Sequence, residues 1–257
     1  MTNNKTIILL DVNSADAIDL DKLKKLDIGI CLDLSNTDLI DSNYENIINE
    51  WKNKLTGFNK VLAVHGVAFD LNPGSTDKKV VELTNYRYKQ SINAAKSLNA
   101  DYVIFHSQIN PWIRDKKLKE IKAKRQIGFW HELVNLLENS KLKILIENVY
   151  ESEFEDLQML VRLINSPKVK ICFDIGHMLC SSKQSIGDWI KNLKPFIALV
   201  HLHWNDGTND SHLAPRDNNL KLFDNLVRDY ELNIPIELEY PVTDLNKEIL
   251  RIRKYLN

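Results

Sequence analysis

The chain has 257 residues, with 34 Lys and Arg against 35 Asp and Glu, and 44% of its residues are hydrophobic. This composition excludes intrinsic disorder, because the hydrophobic content is near the globular mean and the formal net charge is only −1. A balanced charge also argues against bulk electrostatic binding of nucleic acid. The three cysteines form no C-x-x-C pair, so neither a disulfide framework nor a zinc knuckle is indicated.

The sequence contains no membrane or export signal of the usual kind. No apolar run approaches the ~18 residues that a transmembrane helix needs. The first residues, MTNNKTIILLDV, lack the basic region, apolar core and cleavage site of a signal peptide. We therefore expect a cytoplasmic protein with no membrane partner.

Short apolar runs alternate with longer amphipathic segments along the whole chain. The runs are rich in Val, Ile and Leu and nearly continuous in apolarity, as strands buried on both faces of a parallel sheet should be. We predict eight strands, at residues 6–11, 28–33, 60–65, 101–106, 143–148, 169–174, 197–203 and 234–239.

The segments between the strands have apolar residues at three- and four-residue spacing, which predicts helices. Ser75 and Asp77 follow the Pro73-Gly74 turn at a plausible helix start. Eight strand–helix units favour an α/β fold, a single-domain (β/α)8 TIM barrel over residues 1–257. An open doubly wound sheet is the weaker alternative, because the first turn, DVNSAD, has no glycine. The predicted helices cover residues 43–56, 77–98, 115–139, 153–164, 219–231 and 243–256, with shorter ones at 15–25 and 185–193.

Ionisable side chains recur where the predicted strands end. In a parallel barrel the active site lies at the C-terminal ends of the strands. One histidine or carboxylate at a strand end is usually structural, but a set of them repels or competes for protons unless a cation neutralises it. The sequence therefore predicts a metal site formed by His65, His106, Glu147, Asp174, His177, His203, Asp210, His212 and Glu239.

Mixed imidazole and carboxylate ligands suit Zn or Mn best, with Co, Fe or Mg as alternatives, and we expect one to three ions. His201 and Glu237 lie two residues before His203 and Glu239, on the same strand faces but one layer deeper. We expect these two side chains to lie close together and to support the ligands from below. Cys172 is interpreted as a core residue, and His131 as a surface or packing histidine.

Six fragments, in order, resemble the xylose-isomerase-like barrels, a superfamily that includes the type-2 AP endonucleases and many sugar isomerases and epimerases. The fragments are VHGVAFDLNPGS, VIFHS, ILIEN, CFDIGH, HLHWNDGTNDSH and PIELE. The sugar-isomerase branch of that resemblance implies one catalytic metal on Glu147, Asp174, His203 and Glu239, with His177 against the substrate. The endonuclease branch implies that all nine residues hold up to three zinc ions.

The sequence also departs from both branches. The segment after His212 reads LAPRDNN, where both branches usually have a glycine pair. The loop after His65 reads GVAFDLNPG instead of the tyrosine-containing DNA-probing loop of the nucleases. Sugar 3-epimerases often have Arg where this chain has Asp210. These differences leave the substrate less well defined than the fold.

Three functions stay open. The favoured one is a metal-dependent sugar or sugar phosphate isomerase or epimerase, in which Glu147 and Glu239 move a proton through an enediolate and Trp112 and Trp204 stack on the sugar. The second is an AP endonuclease-like phosphodiesterase, with Arg216 as a phosphate contact and residues 114–125 as a basic rim.

The third function is a non-catalytic metal-binding barrel. We expect a small-molecule carbohydrate as the ligand and rank nucleic acid below it. Barrels of this kind often dimerise, so a homodimer is considered as well.

Overall fold

The computed structural model describes residues 6–256, and within them eight parallel strands close into one barrel in chain order. The strands β1 to β8 pair only with their sequence neighbours, and β8 closes the barrel on β1. This confirms the predicted single-domain (β/α)8 barrel. The strands are Ile8–Val12, Gly29–Asp33, Leu62–His65, Tyr102–His106, Lys143–Glu147, Val169–Asp174, Ile197–Leu202 and Ile236–Leu238.

Most helices lie where the periodicity predicts them. Helix α1 begins at Leu20, five residues after the predicted start at residue 15. Helix α2 begins at Thr37, ahead of the predicted residue 43, and it is kinked at Asn43. Helix α6 was not predicted, because its seven residues, IGHMLCS, follow β6 without a break. The helices α1 to α9 of the described residues are Leu20–Leu26, Thr37–Lys54, Lys78–Ser97, Lys116–Asn135, Phe154–Ile164, Ile175–Ser181, Ile186–Leu193, Asp217–Asp229 and Leu245–Tyr255.

Asp77 caps the start of α3, as expected, because its carboxylate accepts a hydrogen bond from the Lys79 backbone N–H. His131 also has a packing role. Its Nε2 lies 2.8 Å from the Ile164 carbonyl oxygen and so ties α4 to the end of α5.

The core has two layers, because strand side chains alternate between the barrel interior and the surrounding helices. The larger layer lies between strands and helices and includes Trp130 and Trp189, both fully buried. The smaller layer fills the barrel interior, and Cys172 belongs to it, as predicted. Its fully buried members are Leu9, Cys31, Ala63, Ile104, Leu145, Cys172 and Leu199.

A polar layer lies directly above this apolar interior layer. Two residues further along a strand, the side chain points to the same face. In each of the seven strands β1 to β7, that step leads from the apolar residue of the interior layer to an ionisable residue nearer the C-terminal mouth. The polar layer consists of Asp11, Asp33, His65, His106, Glu147, Asp174 and His201.

Among residues 6–256, no helix combines the length and the apolarity that crossing a membrane requires.

Candidate metal centre

The structure brings all nine residues of the predicted metal set into one connected cluster at the C-terminal mouth of the barrel. Within this cluster, donor atoms lie within 4.8 Å of one another in four overlapping groups. The groups are His65, His106 and Glu147; Glu147, Asp174 and His201; Asp174, His203 and Glu239; and His177, His203, Asp210 and His212.

Glu147, at the end of β5, lies at the centre of one side of the cluster. Its Oε2 is 3.2 Å from His65 Nε2 and 3.9 Å from His106 Nε2. Its Oε1 is 3.1 Å from His177 Nδ1. Because its side chain is fully buried, the charge of Glu147 must be balanced by protons on these imidazoles or by a cation.

Asp174 has two roles that its position at the β6–α6 junction makes possible. It caps α6 by accepting a 2.6 Å hydrogen bond from the His177 backbone N–H. Its two carboxylate oxygens both lie 3.0 Å from His203 Nε2. Gly176 gives His203 the room it needs, since a Cβ built at Gly176 would lie 2.5 Å from Nε2 and still closer to Cε1 and Nδ1.

The loop after β7 carries the outer part of the cluster. The Asp210 carboxylate lies 3.2 Å from His177 Nε2 and 3.1 Å from His212 Nε2. The rings of His203 and His212 stack at 4.2 Å, only 5° from parallel.

This loop is held without the glycine pair that the sequence lacks. Trp204 and Leu213 pair through two backbone hydrogen bonds of 2.8 and 2.9 Å. His212 itself takes the left-handed conformation, with φ at 44°, which is uncommon for a residue other than glycine. The pairing of Trp204 with Leu213 therefore holds the loop in a backbone conformation that glycine adopts more readily.

His201 and Glu237 lie close together below the rim, as expected from the sequence. His201 Nε2 is 3.2 Å from Glu237 Oε2, and both side chains are buried. However, His201 Nδ1 also lies 3.2 Å from Glu239 and 3.5 Å from Glu147 and Asp174. His201 is thus a candidate ligand as well as a support, a role that sequence spacing did not suggest.

The electrostatics of the cluster are those of tightly coupled acids and bases. Burial opposes ionisation of Glu147 and Asp174, but attraction to neighbouring histidines holds both pKa values well below the usual range. The histidines are His201 and His106 for Glu147, and His177 and His203 for Asp174. Burial raises the pKa of Glu239, with added repulsion from Asp174 and Glu147.

The histidines divide by their carboxylate partners. Burial lowers the pKa of His106 to about 4. Burial also disfavours a charged His65, but its hydrogen bond and its attraction to Glu147 prevail and raise its pKa to about 9. The hydrogen bond to Asp210 raises the pKa of His212 to about 9. Protons therefore occupy positions between imidazole and carboxylate that a metal ion can take over, with proton release on binding.

Unsatisfied buried atoms show that the residues fit a metal. Six of the nine buried side-chain polar atoms that lack a hydrogen bond in the described residues belong to this cluster or lie directly beneath it. Such atoms are rare in folded proteins, since each one costs free energy unless an ion or water satisfies it. Five of them lie in the cluster: Glu147 Oε1, His201 Nδ1 and Nε2, His203 Nδ1 and Glu239 Oε2. The sixth, Glu237 Oε2, lies beneath it and outside the four donor groups.

Asn148 connects the candidate ligands of β5 and β6 and was missed by sequence reasoning. Its side-chain amide donates to the Asp174 carbonyl at 2.8 Å and accepts from the Asp174 N–H at 2.9 Å. Its own carbonyl lies 3.0 Å from His177 Nδ1. The only sequence signal is its place in ILIEN, directly after Glu147.

A cavity of about 570 Å³ opens above the cluster, within the size range of small-molecule sites. Phe69 and Tyr150 line it, with Phe69 edge-on to His106 at 5.7 Å. Asp11 and Asp33 also line it. Sequence reasoning missed these aspartates, although they end β1 and β2 as the histidines end β3 and β4.

The three side chains expected on the substrate are not among those lining this cavity. Trp112 is 83% exposed in the β4–α4 loop. Trp204 packs against the main core instead. Arg216 is exposed at the start of α8. Substrate contact by these residues therefore remains a prediction.

The basic segment 114–125 is partly neutralised within the chain. Lys119 lies 2.7 Å from Asp156, and Lys124 lies 2.5 Å from Glu120. Neither lysine lines the cavity above the metal cluster. These pairings reduce the positive charge that a basic rim for nucleic acid would offer.

Comparison with known proteins identifies the family. The family model of the xylose isomerase-like TIM barrel matches residues 31–255. The chain belongs to this family. It also resembles an uncharacterized protein of Methanocaldococcus jannaschii, with 28% identity over 170 residues, which is 63% of this chain and 58% of that protein.

Solved structures show the same fold. A Thermus thermophilus protein from crystals soaked with ZnCl2 superposes with a TM-score of 0.79 and 22% identity, covering 97% of each chain. A D-tagatose 3-epimerase-like protein superposes with a TM-score of 0.77 and 20% identity, covering 98% of this chain and 97% of that one. D-psicose 3-epimerase from Clostridium cellulolyticum H10, in a structure with D-tagatose, superposes with a TM-score of 0.67 and 13% identity. The match covers 98% of this chain and 96% of that one.

Proposed function

We propose that this protein is a divalent-metal-dependent sugar isomerase or epimerase. The observation that carries the proposal is the placement of Glu147 and Glu239. They end the non-adjacent strands β5 and β8, and their carboxylates lie 3.5 and 3.2 Å from the same atom, Nδ1 of His201. Two carboxylates that converge on one point from non-adjacent strands can remove a proton from one face of a substrate carbon and return one to the other.

The two carboxylates differ in their readiness to carry a proton. The surrounding histidines keep Glu147 ionised, whereas burial, Asp174 and Glu147 raise the pKa of Glu239. One is thus suited to accept a proton and the other to donate one. His177 is held by Asp174 and Asp210 at the cavity wall, in a position to hold a substrate oxygen.

Glu147, Asp174, His203 and Glu239 would hold the catalytic metal, which the proposal takes as Mn or Zn. A bound divalent cation supplies polarisation of a carbonyl and stabilisation of negative charge on adjacent oxygens. Related structures support the carbohydrate class, because one is a D-tagatose 3-epimerase-like protein and another is a D-psicose 3-epimerase with D-tagatose. We further propose that the protein works in the cytoplasm.

Proton exchange with solvent tests the proposal. Mn-loaded protein is incubated in D2O with a panel of free ketoses and aldoses, and proton NMR follows loss of the hydrogen next to the carbonyl. We expect deuterium at one carbon of at least one sugar. Glu147→Gln and Glu239→Gln should abolish it, whereas Glu138→Gln, at an exposed position beyond α4, should not. No exchange by metal-loaded protein with any sugar would refute the proposal.

A second candidate, a multinuclear zinc phosphodiesterase, is favoured by one observation. The four groups of donor atoms overlap in series, because Glu147, Asp174 and His203 each belong to two groups, and this arrangement suits several ions. Elemental analysis and a nicking assay on abasic DNA separate the two functions. Three zinc ions per chain together with strand cleavage would support the phosphodiesterase, and one ion without cleavage would support the sugar enzyme.

A further inference from the structure

The cavity has a second half that the metal set does not include. On the β8–β1–β2 side, Asp11, Asp33, Ser35 and Glu237 line its wall. The strand register explains their proximity, since Leu9 pairs with Glu237 and with Gly29, and Asp33 pairs with His65. Asp11, Asp33 and Glu237 therefore form one continuous arc of carboxylates, which we call the carboxylate arc.

The carboxylate arc is not arranged to chelate an ion by itself. None of its three residues belongs to a group of three donors within 4.8 Å among the described residues. Asp33 is tied to its own loop, because it accepts a 2.8 Å hydrogen bond from the Ser35 backbone N–H. Carboxylates that do not converge on one point suit separate donor groups of a larger molecule.

Glu237 gives independent evidence that the carboxylate arc faces a ligand. It is 1% exposed, lines the cavity, and its Oε2 has no hydrogen-bond partner despite lying near His201. A buried carboxylate oxygen left without a donor is costly. A substrate hydroxyl or amine in the cavity would supply that donor.

The charge of the cavity also limits the ligand. No lysine or arginine lines the cavity in the described part of the chain. The seven carboxylates in or directly below the cavity wall are Asp11, Asp33, Glu147, Asp174, Asp210, Glu237 and Glu239.

We infer that the carboxylate arc binds the end of the sugar that lies away from the metal, through hydroxyl or amine donors, and that this end carries no phosphate or carboxylate. The inference rests on the proposed function and narrows its substrate to non-anionic sugars. Carboxylates accept hydrogen bonds from hydroxyl and ammonium groups, but repel phosphate at this short range. Phe69 and Tyr150, on the cavity wall, offer apolar faces for the C–H groups of the same molecule.

Calorimetry with three matched compounds tests this on Mn-loaded protein: D-tagatose, D-tagatose 6-phosphate and 6-amino-6-deoxy-D-tagatose. We expect the free sugar to bind at least tenfold more tightly than the phosphate. Tenfold tighter binding of the amine would assign an ammonium ligand, and equal binding would assign hydroxyl groups. Binding of the phosphate as tight as that of the free sugar would overturn the inference.

Variants locate the effect. Asp11→Asn and Asp33→Asn should each weaken binding of the free sugar about tenfold, as expected for loss of a hydrogen bond to a charged group. Asp16→Asn, an exposed residue of the β1–α1 loop, removes the same charge and should change nothing. If Asp11→Asn or Asp33→Asn instead lowers the metal content by one ion per chain, the carboxylate arc is a metal site and the inference is wrong.

Failure of this inference is distinguishable from failure of the proposed function. If the Asp11→Asn and Asp33→Asn variants still exchange protons with an unchanged KM, the carboxylate arc does not bind the substrate, and the proposed isomerase function still stands. If the protein binds the free sugar selectively but exchanges no proton, the proposed isomerase function is wrong, and the binding role of the carboxylate arc still stands.

Discussion

Gly176→Ala tests whether His203 is a metal ligand without replacing any candidate ligand residue. The new Cβ would lie 2.5 Å from His203 Nε2, and nearer to two other ring atoms, where ordinary contacts are at least 3.4 Å. His203 is fully buried, so the ring must move by well over 1 Å to restore an ordinary contact. Metal–ligand distances tolerate only about 0.2 Å, and the coordination of His203 should therefore be lost.

The expected magnitude follows from the two effects of the methyl group. Alanine is the better helix former by up to about 1 kcal/mol, whereas overpacking costs about 1–3 kcal/mol, so the metal-free protein should lose about 1–2 kcal/mol. Metal affinity should fall about 100-fold, or about 3 kcal/mol, as for other changes that misplace a ligand.

Competition with a chromophoric chelator measures metal affinity, and thermal unfolding of the metal-free protein measures stability. Gly128→Ala is the matched control, because a Cβ at Gly128 in α4 meets nothing within 4 Å. That variant should bind metal normally and gain up to about 1 kcal/mol. If Gly176→Ala binds metal as tightly as the control does, His203 is not a ligand and the reasoning fails.

Three further predictions concern the same cavity. Burial and repulsion by Glu237, Glu239 and Asp33 raise the pKa of Asp11 from 3.8 to about 7, so its ionisation destabilises the metal-free protein progressively from pH 4 to pH 7. A fully buried group would lose about 4 kcal/mol, but Asp11 reaches water through the cavity. Solvent screening reduces the expected gain of Asp11→Asn at pH 8 to about 1 kcal/mol, and equal denaturation curves at pH 8 would contradict it. Asn148→Asp replaces the amide that donates to the Asp174 carbonyl, so metal should bind about 10- to 100-fold more weakly in a titration, and unchanged affinity would show that Asn148 does not position the ligand. Chelation of metal present at about 1,000 times its Kd should remove about 4 kcal/mol of stability, or about 10 °C in Tm by calorimetry, and an unchanged Tm would mean that the cluster holds no ion.

Much of the fold could be predicted because each unit carries its own signal. Apolar strands buried on both faces alternate with amphipathic helices, and every predicted strand overlaps an observed one. Helix α6 escaped prediction because periodicity needs more than its seven residues. The start of α2 was missed because its kink at Asn43 interrupts the helical pattern.

The candidate site could be predicted in part for the same reason. A strand end is visible in sequence, and the strands of a parallel barrel all end at one face, so the nine residues of the metal set could be placed together without coordinates. Asp11 and Asp33 carry the same signal at the ends of β1 and β2. The roles of Asn148 and Gly176 could not be read in this way, because they depend on what packs against these residues.

The sequence by itself thus determined the barrel and the residue types gathered at its mouth, since both follow from local periodicity and chain order. Only the tertiary structure decided how those residues divide the cavity. It placed His201 among four carboxylates, packed Trp204 against the core and set Asp11 and Asp33 on the wall of the same cavity. Distances between side chains on different strands depend on barrel closure and register, which local sequence patterns do not specify.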